Sequence, residues 1–204
     1  MPTKTFLNLP KEKQNIIIEA SLKEFKRVLL KDASINKIIT QAKISRGSFY
    51  TYFKDINDIY FYSINKYKKE INKIIKNTLI TQNGNLIETT NIVFDKITQT
   101  CLNKNNKQLF KNIFLNFNYQ IDIRNEIINQ DLDKEYGKIE LISQVNKNNL
   151  NLKTEEELFI IIEIITNFVI NGLIEIVLDN NNVEIEKEKL NIKLEILKKG
   201  IWKE

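Results

Sequence analysis

Residues 34–53 read SINKIITQAKISRGSFYTYF, and the way this stretch divides decides the fold. Ser34 stands before Ile35, Ile38, Ile39 and Ala42, apolar residues at three- and four-residue spacing. That pattern predicts a short helix with Ser34 as its N-cap. Ser45 repeats the arrangement ahead of Phe49, Tyr50 and Phe53. Only Lys43 and Ile44 lie between the two, and helices joined so tightly must cross at a steep angle. A preceding helix, started by Pro10 and ending near residue 29, turns Ile17, Ala20, Ser21, Leu22, Phe25 and Val28 toward them. The three close into a compact unit of helix-turn-helix geometry.

Charge is concentrated in the same region. Residues 1–54 hold eleven Lys and Arg against four Asp and Glu, net +7, whereas the rest of the chain is net −2. Such asymmetry is the footprint of one quarter touching a polyanion, although a solvated lysine-rich surface would give the same count. Side-chain direction separates the two. At roughly 100° per residue, Phe49 and Phe53 fall one turn apart and face inward, which leaves Arg46, Ser48, Thr51 and Tyr52 on or near the outer side. Gly47 permits close approach of backbone to DNA. Arg46 matches the guanine edge as a bidentate donor, and Thr51, Tyr52 and Lys54 are placed to grip phosphates. Tyr50 is expected to serve both ends, ring buried and hydroxyl near a phosphate. With Ser34, Lys43 and Ser45 these residues form the expected DNA-binding set.

What is missing excludes most catalysis. There is no histidine and a single cysteine, which removes the usual zinc, iron and copper ligand sets and every His-dependent triad. The five glycines are isolated from one another, so no phosphate-cradling loop is present. No enzymatic activity, metal or cofactor is expected. Cys101 has no intramolecular disulfide partner, and MPTKTFLNLPKEK lacks a signal-peptide apolar run, so the cytoplasm is the expected compartment.

Beyond residue 54 the pattern stays helical, which makes the expected fold class all-α. Asp55 and Asp58 open a long helix to about Leu79, and Asn83-Gly84 breaks it. Further helices are expected over about 85–102, 107–117, 121–146, 154–179 and 183–199, with Thr154 and Glu157 as a capping box. The run LFIIIEIITNFVINGLIEIVL, residues 158–178, is long enough to cross a membrane. Against a membrane span, Glu163, Asn167, Asn171 and Glu175 recur every fourth residue and form one polar stripe. The remaining apolar sector is wide enough to serve both its own domain and a second subunit. Phe168 and Gly172, with Leu190 and Leu194 of the last helix, are the expected four-helix dimer interface. Phe94, Thr98, Cys101, Phe114, Phe117, Asn167 and Asn171 are the candidate ligand-binding residues, although aromatics at helical spacing also suit a plain core.

Over Ile17 to Tyr60, through IIIEASLKEF, SINKIITQAKISRGSFYTYF and DINDIY, the chain resembles the tetracycline-repressor (TetR) family of bacterial transcription factors. Beyond Tyr60, helix number and length agree with it. The resemblance implies a three-helix DNA-binding domain, here 1–54, and an all-helical ligand-binding and dimerising domain, here 55–204. It also implies a homodimer on an operator, with repression released by a small molecule, expected here to be apolar, and no membrane partner. Two positions depart from the family pattern. Lys43 stands where the turn usually has glycine, and Ile56 stands where a phosphate-touching lysine opens the fourth helix, leaving Lys54 as the nearby basic residue. The competing reading is an all-helical interaction protein whose basic unit binds an acidic protein or membrane surface. Such a partner needs only charge, whereas a groove reader needs the glycine, the hydroxyls and the outward arginine together.

Overall fold

The computed structural model describes residues 1–119, 142–148, 150–180 and 182–201. Its α-helices are α1 (Lys4–Leu7), α2 (Lys11–Arg27), α3 (Ile35–Ala42), α4 (Arg46–Tyr52), α5 (Ile56–Thr81), α6 (Leu86–Leu102), α7 (Lys107–Tyr119), α8 (Glu155–Leu178) and α9 (Val183–Ile201). A 3-10 turn spans Leu30–Asp32, and no strand runs among the described residues. The all-α class is as the periodicity predicts, while the helix expected over 121–146 lies mostly outside the described residues. Contacts divide the chain into two units, Met1–Glu70 with Gln108–Ile127, and Ile71–Lys107 with Ile128–Glu204.

In the first unit, Ile17 and Phe25 of α2, Ile38 of α3, and Phe49 and Phe53 around α4 are fully buried. Burying each such side chain contributes about 1.5–3 kcal/mol. The sequence pattern holds no signal for α1, because one turn is too short to show a period. Its Phe6 is nevertheless a core residue, with ring centroids 4.7 Å from Phe53, 5.4 Å from Tyr62 and 6.0 Å from Tyr52. Thr3, the N-cap of α1, also fastens the end of α4: its hydroxyl donates to the Thr51 carbonyl at 2.7 Å and its amide to that of Tyr52 at 2.9 Å. Both acceptors belong to the last helical turn, which has no internal donors for them.

Helix α7 is held to this unit by two buried amides. The two N–H groups of Asn112 Nδ2 are shared among the carbonyls of Phe25, Lys26 and Val28, at 2.8, 3.0 and 3.2 Å, closing the C-terminal end of α2. Asn116 Nδ2 donates to the Tyr60 hydroxyl at 3.1 Å. Burial of that phenol pushes its pKa up to about 12, so it stays protonated and fully able to hydrogen-bond.

The second unit is built around α6, which packs on α8 and α9. A Cβ at Gly172 of α8 would come within 3.0 Å of the Phe94 ring of α6, so glycine is what lets these helices approach. The break predicted at Asn83-Gly84 is present: both residues have positive φ, and a Cβ at Gly84 would overlap the Asn146 backbone nitrogen. Thr154 caps α8 by accepting from Glu157 N at 3.2 Å, while the Glu157 carboxylate reaches back to Lys153 N at 2.6 Å. By length and composition α8 is apolar enough to cross a membrane. Its buried face, Leu158, Ile161, Ile165, Gly172, Leu173, Ile176 and Val177, joins Val93, Phe94 and Ile97 of α6 and Leu190 and Leu194 of α9 in the core of the second unit.

Candidate nucleic-acid interface

The turn between α3 and α4 rests on an unusual residue. Lys43 has φ 52° and ψ 45°, the left-handed conformation that glycine adopts without penalty. Its amide donates to the Thr40 carbonyl at 3.3 Å and that of Ile44 to Ile39 at 3.1 Å. These two bonds are the Schellman closure of a helix C-terminus. The turn therefore keeps the glycine geometry with a lysine in it, at a cost of about 1 kcal/mol. Lys43→Gly is expected to stabilise the protein by about that amount and to raise Tm by about 2–4 °C in thermal unfolding. A lower Tm would show that the lysine side chain does more for the folded state than the strain costs.

Ser45 caps α4 by accepting from Ser48 N at 3.0 Å, and the two hydroxyls lie 2.9 Å apart. Ser34 occupies the N-cap position of α3, yet its side chain makes no capping bond. Its backbone amide instead donates to Glu24 Oε1 at 2.9 Å. Glu24 is the one carboxylate on the buried face of α2, which also carries Gln14 and Ser21. Buried there, it accepts from Arg27 Nε at 2.9 Å and Nη2 at 2.7 Å. The Arg27 hydrogen bonds hold the Glu24 carboxyl below the usual carboxylate range despite burial. This ion pair and amide bond tie α2 to the start of α3, and so help set where α4 is presented.

Arg46, Gly47, Tyr50 and Thr51 of α4 are exposed, as are Asn36, Lys37, Thr40, Lys43, Ser45 and Lys54 beside it, while Ser48 is half-buried. The two tyrosines exchange the places expected of them. Tyr52 is buried against Phe6, and Tyr50 is 46% exposed, with its ring edge-on to Phe49 at 5.4 Å. The cause is α1, whose aromatic ring offers Tyr52 an apolar surface that the pattern around α4 alone does not reveal. Phe49 and Phe53 are inward as expected, although Phe53 is already extended backbone, φ −134°, after the helix ends. Arg46 is not loose. Its Nη1 donates to Asn36 Oδ1 at 2.8 Å, its Nη2 to the Tyr50 hydroxyl at 3.3 Å, and its guanidinium carbon lies 5.6 Å from the Tyr50 ring centroid. The Thr51 hydroxyl donates back to the Gly47 carbonyl at 3.0 Å. Ile56 is half-buried, and its side chain carries no polar group to meet a phosphate.

Phe94, Thr98 and Cys101 lie buried along one side of α6, Asn167 is half-buried on α8 and Asn171 is exposed. The Thr98 hydroxyl has no hydrogen-bond partner among the described residues. Burial pushes the Cys101 thiol up to about 12, so it is an inert thiol at neutral pH. Phe114 and Phe117 are buried on α7 in the first unit, their rings 5.7 Å apart. An open groove of about 420 Å³ on the second unit is lined by Ile74, Lys96, Gln99, Thr100, Asn103 and Asn106, none of them an expected ligand residue. Of the expected interface residues, Gly172, Leu190 and Leu194 are buried within their own unit, and Phe168 is half-buried beneath Lys193, 5.6 Å from its ring. No group of three or more residues able to hold a metal occurs among the described residues.

Fold and surface together define a class: a helix-turn-helix protein with a second, all-helical unit. The family model of the tetracyclin repressor-like C-terminal domain matches residues 85–201, more than half of the chain, and the chain belongs to the TetR family of transcriptional regulators. A candidate TetR-family regulator from Mesorhizobium loti MAFF303099 shares the fold, with a TM-score of 0.62, 11% identity, and 95% of this chain and 98% of that one covered. A TetR family transcriptional regulator from Chloroflexus aurantiacus J-10-fl is 22% identical over the whole of both chains, with a TM-score of 0.48. No curated protein matches the chain.

Proposed function

We propose that this TetR-family regulator is a homodimeric cytoplasmic repressor that reads an inverted-repeat operator through α4 and is released by an apolar small molecule. Residues 1–54 serve as the DNA-binding domain and 55–204 as the ligand-binding and dimerisation domain. A dimer sets two α4 helices at the half-site spacing of duplex DNA, and a ligand that alters that spacing favours release. Phe94, Thr98 and Cys101 on α6 are the proposed ligand face, because among the described residues the Thr98 hydroxyl lacks the partner a buried donor needs. Ligand and operator must then weaken each other by the same factor.

The observation that carries the DNA reading is Gly47. The fold makes no demand for glycine there: φ is not positive, and an added Cβ would meet only Ser45 Oγ, at 3.8 Å. Glycine costs up to about 0.5–1 kcal/mol relative to alanine in a helix interior and stands here in the first turn of α4, where the fold gains nothing from it, so its use on this exposed polar face points to a partner that comes close to the backbone. Gly47→Ala is expected to leave Tm unchanged or raised while weakening operator binding about tenfold or more, read by thermal unfolding and gel shift on the same preparation. Unchanged affinity for DNA would remove α4 from the contact surface.

A further inference from the structure

We propose that Asn36, on α3, is the positioning residue that makes Arg46 a base reader. This rests on the assignment of α4 as the DNA-reading helix and adds to it a residue from the other helix of the pair. An exposed arginine samples many rotamers, and on DNA the nearest and most numerous partners for it are phosphates. Reading a base requires the guanidinium plane to be held in one orientation. Here it is held from two helices: Asn36 Oδ1 accepts Nη1 at 2.8 Å, and Tyr50, one turn along α4, accepts Nη2 at 3.3 Å with its ring 5.6 Å from the guanidinium carbon.

The Tyr50 contact is local to α4 and moves with it. The Asn36 bond crosses from α3, so it fixes the guanidinium relative to the whole helix-turn-helix frame. The Thr40 hydroxyl donates to the backbone carbonyl of Asn36 at 2.8 Å, so it does not compete with Arg46 for Oδ1. Of the five N–H groups of a guanidinium, two are engaged in these bonds and three remain, while a guanine edge takes two. Orientation and recognition are therefore compatible in one side chain. An exposed asparagine facing an exposed arginine adds little to stability, so Asn36→Ala should leave Tm nearly unchanged.

The test uses the full-length protein and a pool of random-sequence duplexes from which the wild type selects its preferred site. Affinities for that site and for unselected duplex are then measured for wild type, Asn36→Ala, Asn36→Asp, Arg46→Ala and the Asn36→Ala/Arg46→Ala double variant. Asn36→Ala is expected to lower the ratio of specific to non-specific affinity about threefold to tenfold, the consequence of ordering one long side chain during binding instead of before it. Non-specific affinity should hold. The double variant should be no worse than Arg46→Ala, because the asparagine acts through the arginine. Asn36→Asp keeps the acceptor oxygen, so it should retain the ratio while weakening both duplexes through its added negative charge. If Asn36→Ala leaves the ratio within twofold while Arg46→Ala abolishes one base preference, the positioning role is wrong and the DNA reading stands. If the wild type enriches no duplex at all, the DNA reading fails and the role of Asn36 falls with it.

Discussion

Raising salt from about 50 to about 200 mM is expected to weaken operator binding more than a thousandfold. Net charge is +7 over residues 1–54 and −2 over the rest. Around α3 and α4, Lys37, Lys43 and Lys54 are all exposed. Three phosphate contacts in each half of a dimer make about six, and each contributes roughly −0.9 to the slope of log K against log salt on duplex DNA, about −5 in all. Removing one lysine from both halves should make the slope shallower by about 2, with similar losses on specific and random DNA. Arg46→Ala behaves differently if it reads a base, costing about 1–3 kcal/mol on the selected site and much less elsewhere. A slope near zero would leave the basic quarter as an ordinary solvated surface.

The parts of this molecule that sequence makes legible are those with a period or a cap. The apolar spacing of α2 through α9 is a signal eight or more residues long in all but α4, and Ser45 and Thr154 mark their helix starts by the capping bonds observed. What stays hidden depends on contacts between distant residues. Phe6 is 46 residues or more from the aromatics it joins on the far side of α3, and a four-residue helix has no period to betray it, so the roles of Tyr50 and Tyr52 come out exchanged. Ser34 shows the same limit: its type and position suit a cap, yet Glu24, ten residues earlier, takes its amide instead. Asn36 gives no signal of its own, because only the fold brings it to Arg46. For α8, composition announces two surfaces but cannot divide them, and Gly172 belongs to the inner one because the Phe94 ring lies against it.

That division redirects the test of dimerisation. Leu190 and Leu194 face inward on α9, so a charge there would unfold the unit whether or not a partner exists. The outward residues of the same helices are Phe159 and Ile160 on α8 and Ile185, Ile192 and Ile196 on α9, between 40% and 65% exposed. Only a third of the most apolar 18-residue stretch of α8 is buried within the chain. On α9 the spacing of seven and then four residues between Ile185, Ile192 and Ile196 places them on one stripe, the arrangement a helix uses against a neighbour. A second copy of the same two helices would complete a four-helix interface and cover them. Ile192→Glu/Ile196→Glu is therefore expected to give a folded monomer at micromolar concentration, with its thermal unfolding retained. Affinity for a two-half-site operator should fall about 10²- to 10⁴-fold, the loss of having one half-site bound in aid of the other. Ile80→Glu, which places the same charge on an exposed isoleucine of α5, should leave both unchanged. A wild type that sediments as a monomer, or a double variant that stays dimeric, would move the interface off these helices.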